Sequence, residues 1–138
     1  MGFQRIQNNQ HLSRYMEINI NPVSAPRQNR SDRWRKRPIV LRYREYSDAL
    51  RQACLKAGFL LGEAIYIEFH IPMPKSWSKK KKARMVDTPH QQRPDSDNLA
   101  KGIMDSLLPE DCKVWHLEAK KFWSEEGRIV LKNRYEKI

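Results

Sequence analysis

Residues 63–71 (EAIYIEFHI) form the densest run of β-branched and aromatic side chains in the chain, and Pro72 and Pro74 close it. Such side chains pack best on a pleated, half-buried surface, so the run predicts a strand and makes the fold sheet-based. Two-residue alternation places Ile65, Ile67 and Phe69 on one face, with Tyr66, Glu68 and His70 on the other. The other elements arrange themselves around it. Residues 15–20 (YMEINI) alternate well enough for a short strand. Pro38 opens a helix predicted to reach Ala57, with Val40, Tyr43, Ala49, Leu50, Ala53 and Cys54 on a broad apolar side and Gly58 placed to stop it. A short helix is expected over 78–86 and a longer one over 96–108, closed by Pro109. Strands over 114–123 and 128–135 flank a turn at 125–127 and are expected to pair as a hairpin. The order predicts an α/β (α+β) fold: a small mixed sheet of about four strands with two main helices. At 138 residues this is one domain, expected over 15–138 behind a loosely ordered segment 1–14 rich in Gln and Asn.

Charge is distributed unevenly. The chain has 27 Lys and Arg against 16 Asp and Glu, a net +11. Fourteen of those cations fall in two short stretches, 27–44 and 75–84. Clustered cations release condensed counterions when they neutralise phosphates, and the interleaved aromatics Trp34, Tyr43 and Trp77 suit nucleic acid as well. The candidate DNA-binding residues are Arg27, Arg30, Arg33, Arg35, Lys36 and Arg37 in the first stretch, and Lys75, Lys79, Lys80, Lys81, Lys82 and Arg84 in the second. The first lies in a long Pro-containing loop, 21–37, of a length more often functional than idle. A solvated basic face explains the same residues without a ligand.

Residues 95–111 (DSDNLAKGIMDSLLPED) reverse the pattern, with five acids against Lys101. Bare carboxylates repel phosphates, so an acidic island on a phosphate-binding surface makes sense if a divalent cation lies between them. On the predicted helix, with Asp97 at zero, Lys101 falls at about 40° and Asp105 at about 80°, while Leu99, Ile103 and Leu107 fall at about 200–280°. The apolar stripe packs on the sheet and Asp97, Lys101 and Asp105 share another face. Ordinary helix chemistry competes with a metal site here. Asp at a helix start caps free N–H groups, and Asp97 with Lys101 is a plain four-apart pair. Capping accounts for one of Asp95 and Asp97, but not for both together with Asp105, Glu110 and Asp111.

The run Arg93-Pro94-Asp95-Ser96-Asp97-Asn98-Leu99-Ala100-Lys101, followed by Asp105 and by Glu110-Asp111, resembles the signature of RusA-type Holliday junction resolvases. The resemblance extends over roughly residues 15–135. It implies a small Mg²⁺-dependent endonuclease, often prophage-encoded, acting as a homodimer on branched DNA in recombination and repair, with Mn²⁺ able to substitute. It makes Asp95, Asp97 and Asp111 the metal-binding acids and Lys101 the essential cation; Glu110 replaces Asp111 if the register slips by one. Oxygen ligands with no His/Cys cluster suit Mg²⁺ or Mn²⁺. Two other functions remain open at this point: a non-catalytic basic nucleic-acid-binding protein whose acids cap a helix, and a nuclease for another branched DNA.

Other classes are not indicated. No apolar run approaches the roughly 20 residues a membrane-spanning helix needs. The opening residues contain no secretory apolar core, so a cytoplasmic protein with reduced Cys54 and Cys112 is expected. His11, His70, His90 and His116 have no metal-like spacing, and five scattered glycines form no nucleotide-binding loop.

Overall fold

The computed structural model describes residues 14–26 and 38–134. Arg27, Arg30, Arg33, Arg35, Lys36 and Arg37, expected to bind DNA, lie outside the described residues, as do residues 1–13 of the expected loose segment 1–14. The elements in chain order are β1 (Tyr15–Ile18), α1 (Pro38–Ala57), β2 (Ala64–Pro72), α2 (Lys79–Met85), α3 (Ser96–Leu107), a 3₁₀ turn (Asp111–Lys113), β3 (His116–Ser124) and β4 (Arg128–Asn133). The sequence-predicted elements are all present. Gly58 ends α1 as expected: its φ of 68° suits a residue without a Cβ, and it lets the Phe59 N–H return to the Cys54 carbonyl at 2.9 Å.

The expected hairpin is absent. The strands run in the order β1-β4-β2-β3, with β2 and β3 parallel and the other two pairs antiparallel. β2 therefore lies between β3 and β4. Two helices in the β2–β3 connection give the chain the length a parallel crossover needs. The central place suits the most apolar strand, since Ile65, Ile67 and Phe69 are fully buried.

α1 and α3 cover one face of the sheet. Leu50, Leu99 and Ile103 join Ile65, Ile67, Phe69, Ile129 and Leu131 in the core, all fully buried. On α1 the buried set is Val40, Tyr46, Ser47, Leu50 and Cys54, while Ala49 is exposed. One turn before Leu50 the inward positions are Tyr46 and Ser47, whereas Ala49 is rotated about 100° away. Small groups let the two helices approach. The Ser47 hydroxyl donates to Ser106 Oγ at 2.7 Å, and Ser106 in turn donates to the Gly102 carbonyl at 2.7 Å. A Cβ on Gly102 would lie 3.4 Å from both the Tyr43 ring and the Val23 carbonyl.

The opposite face carries a polar network. Tyr66 and His70 donate to the two oxygens of Glu68 at 2.5 and 2.9 Å, and the His70 ring stacks on Phe122. Lys120, Lys132 and Arg134 lie 5.4–5.7 Å from the Tyr66 ring centre. Burial, together with the bond to Glu68, pushes the Tyr66 hydroxyl up to about 12. Burial alone would raise Glu68, but the bonds from Tyr66 and His70 outweigh it and hold the carboxyl below its ordinary value.

Candidate metal centre and nucleic-acid interface

α3 begins directly at the acidic motif. Asp95 is its N-cap residue, with the extended φ and ψ (−71°, 144°) of that position, yet its carboxylate makes no capping hydrogen bond. Asp97, in the first turn, accepts the Asn98 N–H at 2.9 Å with one oxygen. Capping therefore does not explain Asp95. Both carboxylates are exposed and open onto a cleft lined by Ser24, Arg93, Pro94, Asp95, Asp97 and Asn98. The helix N-terminus adds unpaired N–H groups and a positive field that favour two nearby negative charges.

Several contacts fix this entry. Asn98 Nδ2 donates to the Ala25 carbonyl at 3.1 Å, tying the helix to the segment after β1. Residues 87–90 lie along the outer edge of β3: Asp87 N–H reaches the Trp123 carbonyl, Trp123 N–H reaches Thr88, and His90 N–H reaches Lys121, all within 2.8–3.0 Å. Beyond them the ammonium of Lys121 donates to the carbonyls of Gln92 (2.6 Å) and Pro94 (2.8 Å). The Arg93–Pro94 peptide is cis. His90 is buried against Trp123, ring centres 4.2 Å apart. Burial, then the Lys121 charge, pushes its imidazole below the ordinary value.

Lys101 and Asp105 share the exposed side of α3, as the helical angles predict, and pair at 3.6 Å. Asp111 is elsewhere. It opens the 3₁₀ turn beyond the far end of α3, next to Glu110, whose carboxylate pairs with Lys113 at 3.8 Å. Twelve helical residues rise about 18 Å. The sheet gives an independent measure: the Pro94 end of α3 meets Lys121, while the residues after the turn join β2 where Trp115 N–H bonds the Glu63 carbonyl. From the start of β3 to Lys121 is about 16 Å. The chain thus brings Asp95 and Asp97 together and leaves Asp111 and Glu110 at the other end of the helix. Among the described residues no group of three or more His, Cys, Asp or Glu is placed to hold a metal ion.

The basic half of the candidate interface is α2. Ser78 caps it by accepting the Lys81 N–H at 3.1 Å, and Lys79, Lys80 and Arg84 are exposed. No acid interrupts α2. Trp77 packs on Trp123 with ring centres 4.8 Å apart, and the Lys81 ammonium lies 4.2 Å from the Trp77 ring centre. Trp77 is therefore largely a packing residue, and it links the basic helix to the strand that carries Lys121.

Lys121 was not singled out by the sequence, where it reads as half of a Lys120–Lys121 pair. The signal that could have found it is alternation: if Ala119 and Trp123 face inward, so does Lys121, and an inward ammonium needs acceptors.

The fold is thus a mixed sheet backed on one face by two helices, with a carboxylate pair at the entry of α3 and a separate basic helix, α2. The chain belongs to the RusA endodeoxyribonuclease family: the model described as Endodeoxyribonuclease RusA matches residues 19–132. It is also similar to the uncharacterized protein YqaN of Bacillus subtilis (strain 168), with 38% identity over 71 residues, 46% of this chain and 50% of that protein. The chain thus spans about half the length of that relative.

Donor chemistry at the α3 entry fits the metal that the family implies. The side-chain donors are hard oxygens, and the Asp95 carboxylate is not engaged in capping. No helix among the described residues is long and apolar enough to cross a membrane.

Proposed function

We propose that the chain is a divalent-metal-dependent endonuclease that resolves four-way DNA junctions as a homodimer. The observation that carries this reading is the freedom of Asp95 at a helix N-cap, beside Asp97, in an open cleft. A helix start rich in acids is ordinary; an N-cap acid that does not cap calls for another explanation.

Asp95 and Asp97 would hold Mg²⁺, or Mn²⁺ in its place, with Asp111 as third acid. Bound there, the ion supplies an acidified water and Lewis-acid compensation for charge growing on the phosphate. The length of α3 keeps Asp111 from the same chain's Asp95, so we assign it to the site of the second copy. Resolution of a two-fold symmetric junction requires two matched nicks, which two such shared sites supply. Lys101, one turn beyond Asp97, stabilises transition-state charge from the same helix face, and Asp105 keeps its ammonium oriented. Lys79, Lys80, Lys81, Lys82 and Arg84 on α2, with Lys75 before it, follow the phosphates of a junction arm. Arg27, Arg30, Arg33, Arg35, Lys36 and Arg37 are assigned to the same task, and the cytoplasm to the protein as its place.

A second reading, a basic nucleic-acid-binding protein without catalysis, draws on the separation of the acids within one chain. A nicking assay decides. The full chain should nick a synthetic four-way junction in Mg²⁺ and not in chelator, and should bind that junction more tightly than linear duplex. Binding without Mg²⁺-dependent nicking establishes the second reading; equal affinity for the two DNAs contradicts junction selectivity.

A further inference from the structure

We propose that Lys121 is a positioning residue for the metal-binding carboxylates at the entry of α3, an inference that rests on the nuclease reading of Asp95 and Asp97. Asp95 has no capping bond, so the direction of its carboxylate depends on how firmly the backbone before it is held. That backbone reaches Asp95 from the outer edge of β3. Main-chain pairing holds it as far as His90, whose N–H bonds the Lys121 carbonyl at 3.0 Å. Beyond His90, Gln91, Gln92 and Arg93 are exposed. The Lys121 side chain takes over there, donating to the carbonyls of Gln92 at 2.6 Å and Pro94 at 2.8 Å, the second immediately before Asp95.

One residue therefore joins the site to the sheet twice, through its carbonyl and through its ammonium. An ammonium with two carbonyl acceptors makes charge-assisted bonds, stronger than neutral ones. The half-buried Lys121 leaves β3 opposite Phe69, on the face that α3 covers, so the anchor is rooted in the sheet and not in a loop. Groups that orient metal ligands in this way typically change affinity or rate by about 10- to 100-fold when lost. Lys121 touches neither substrate nor metal in this role.

The test compares the full chain with Lys121→Met, which keeps the stem and removes the donors, and with Lys121→Gln, which keeps one donor group. Mn²⁺ affinity of the protein without DNA is read by titration calorimetry. Junction affinity is read in chelator, and single-turnover nicking over a Mg²⁺ series. The Met variant should bind Mn²⁺ about 10-fold or more weakly, need correspondingly more Mg²⁺, and hold the junction within about twofold of wild type; the Gln variant should lie between. If the Met variant fails to fold, the Gln variant is judged by the same criteria. Wild-type Mn²⁺ affinity and Mg²⁺ dependence in the folded variant overturn the role of Lys121, as does a loss confined to junction binding. A wild-type chain that binds Mn²⁺ but does not nick overturns the nuclease reading instead, and the calorimetry still decides the role of Lys121.

Discussion

The two ends of α3 each carry a pair of acids, in very different settings. At the start, Asp95 and Asp97 stand in the positive field of the helix N-terminus, on a backbone bonded to Lys121 and, through Asn98, to Ala25. At the finish, Glu110 and Asp111 lie on an exposed 3₁₀ turn, and Glu110 pairs with Lys113 in solvent. Composition treats the pairs alike. Placement sets the first pair at a braced helix entry and the second on an exposed turn. What two acids can do thus depends on which helix end they occupy and what holds the chain there.

The division can be broken by mixing subunits. Asp97→Asn and Asp111→Asn should each lower nicking by about a thousandfold or more, on the scale of losing a metal-assisted step. Mixed and reannealed, the two chains should recover nicking at one site, because one pairing unites an intact entry with an intact Asp111. No recovery would place all three acids in one chain.

Lys101→Met should cost less, about 100-fold in single-turnover rate with junction affinity nearly unchanged, as expected for one charge-stabilising donor. A loss confined to binding would make Lys101 a phosphate contact.

At the far end, Glu110→Gln should change the rate by no more than about threefold, since exposed pairs such as Glu110–Lys113 contribute little. A loss equal to that of Asp111→Asn would make Glu110 the third acid.

The smallest effect concerns pH. Buried His90 has a depressed folded value, so the neutral form stabilises the fold above the ordinary 6.5, and that stability is lost as pH falls through and below it. His90→Gln should flatten thermal stability between about pH 7 and 5. An unchanged slope would show that His90 does not contribute to it.

Local patterns made much of this fold legible. Proline and glycine marked the limits of α1, alternation marked β2, and the helical spacing of Leu99 and Ile103 against Asp97 and Lys101 gave α3 its two sides. The order of the strands was not legible. A short turn at 125–127 reads as a hairpin, and nothing local reveals that β2 comes between β3 and β4. The same limit governs the site. Spacing made Asp95 and Asp97 neighbours, because they stand two residues apart at the start of one helix. The predicted helix over 96–108 already separated them from Asp111, but nothing local could reveal that Lys121, more than twenty residues away, holds the backbone just before Asp95.

Cleavage by Asp97→Asn, measured beside its binding of the same four-way junction, tests the metal-holding entry most directly. Nicking in Mg²⁺ should vanish while junction affinity stays at the wild-type value or tightens, since a negative charge facing phosphate has been removed. Undiminished nicking would contradict the assignment of the α3 entry as the catalytic metal centre.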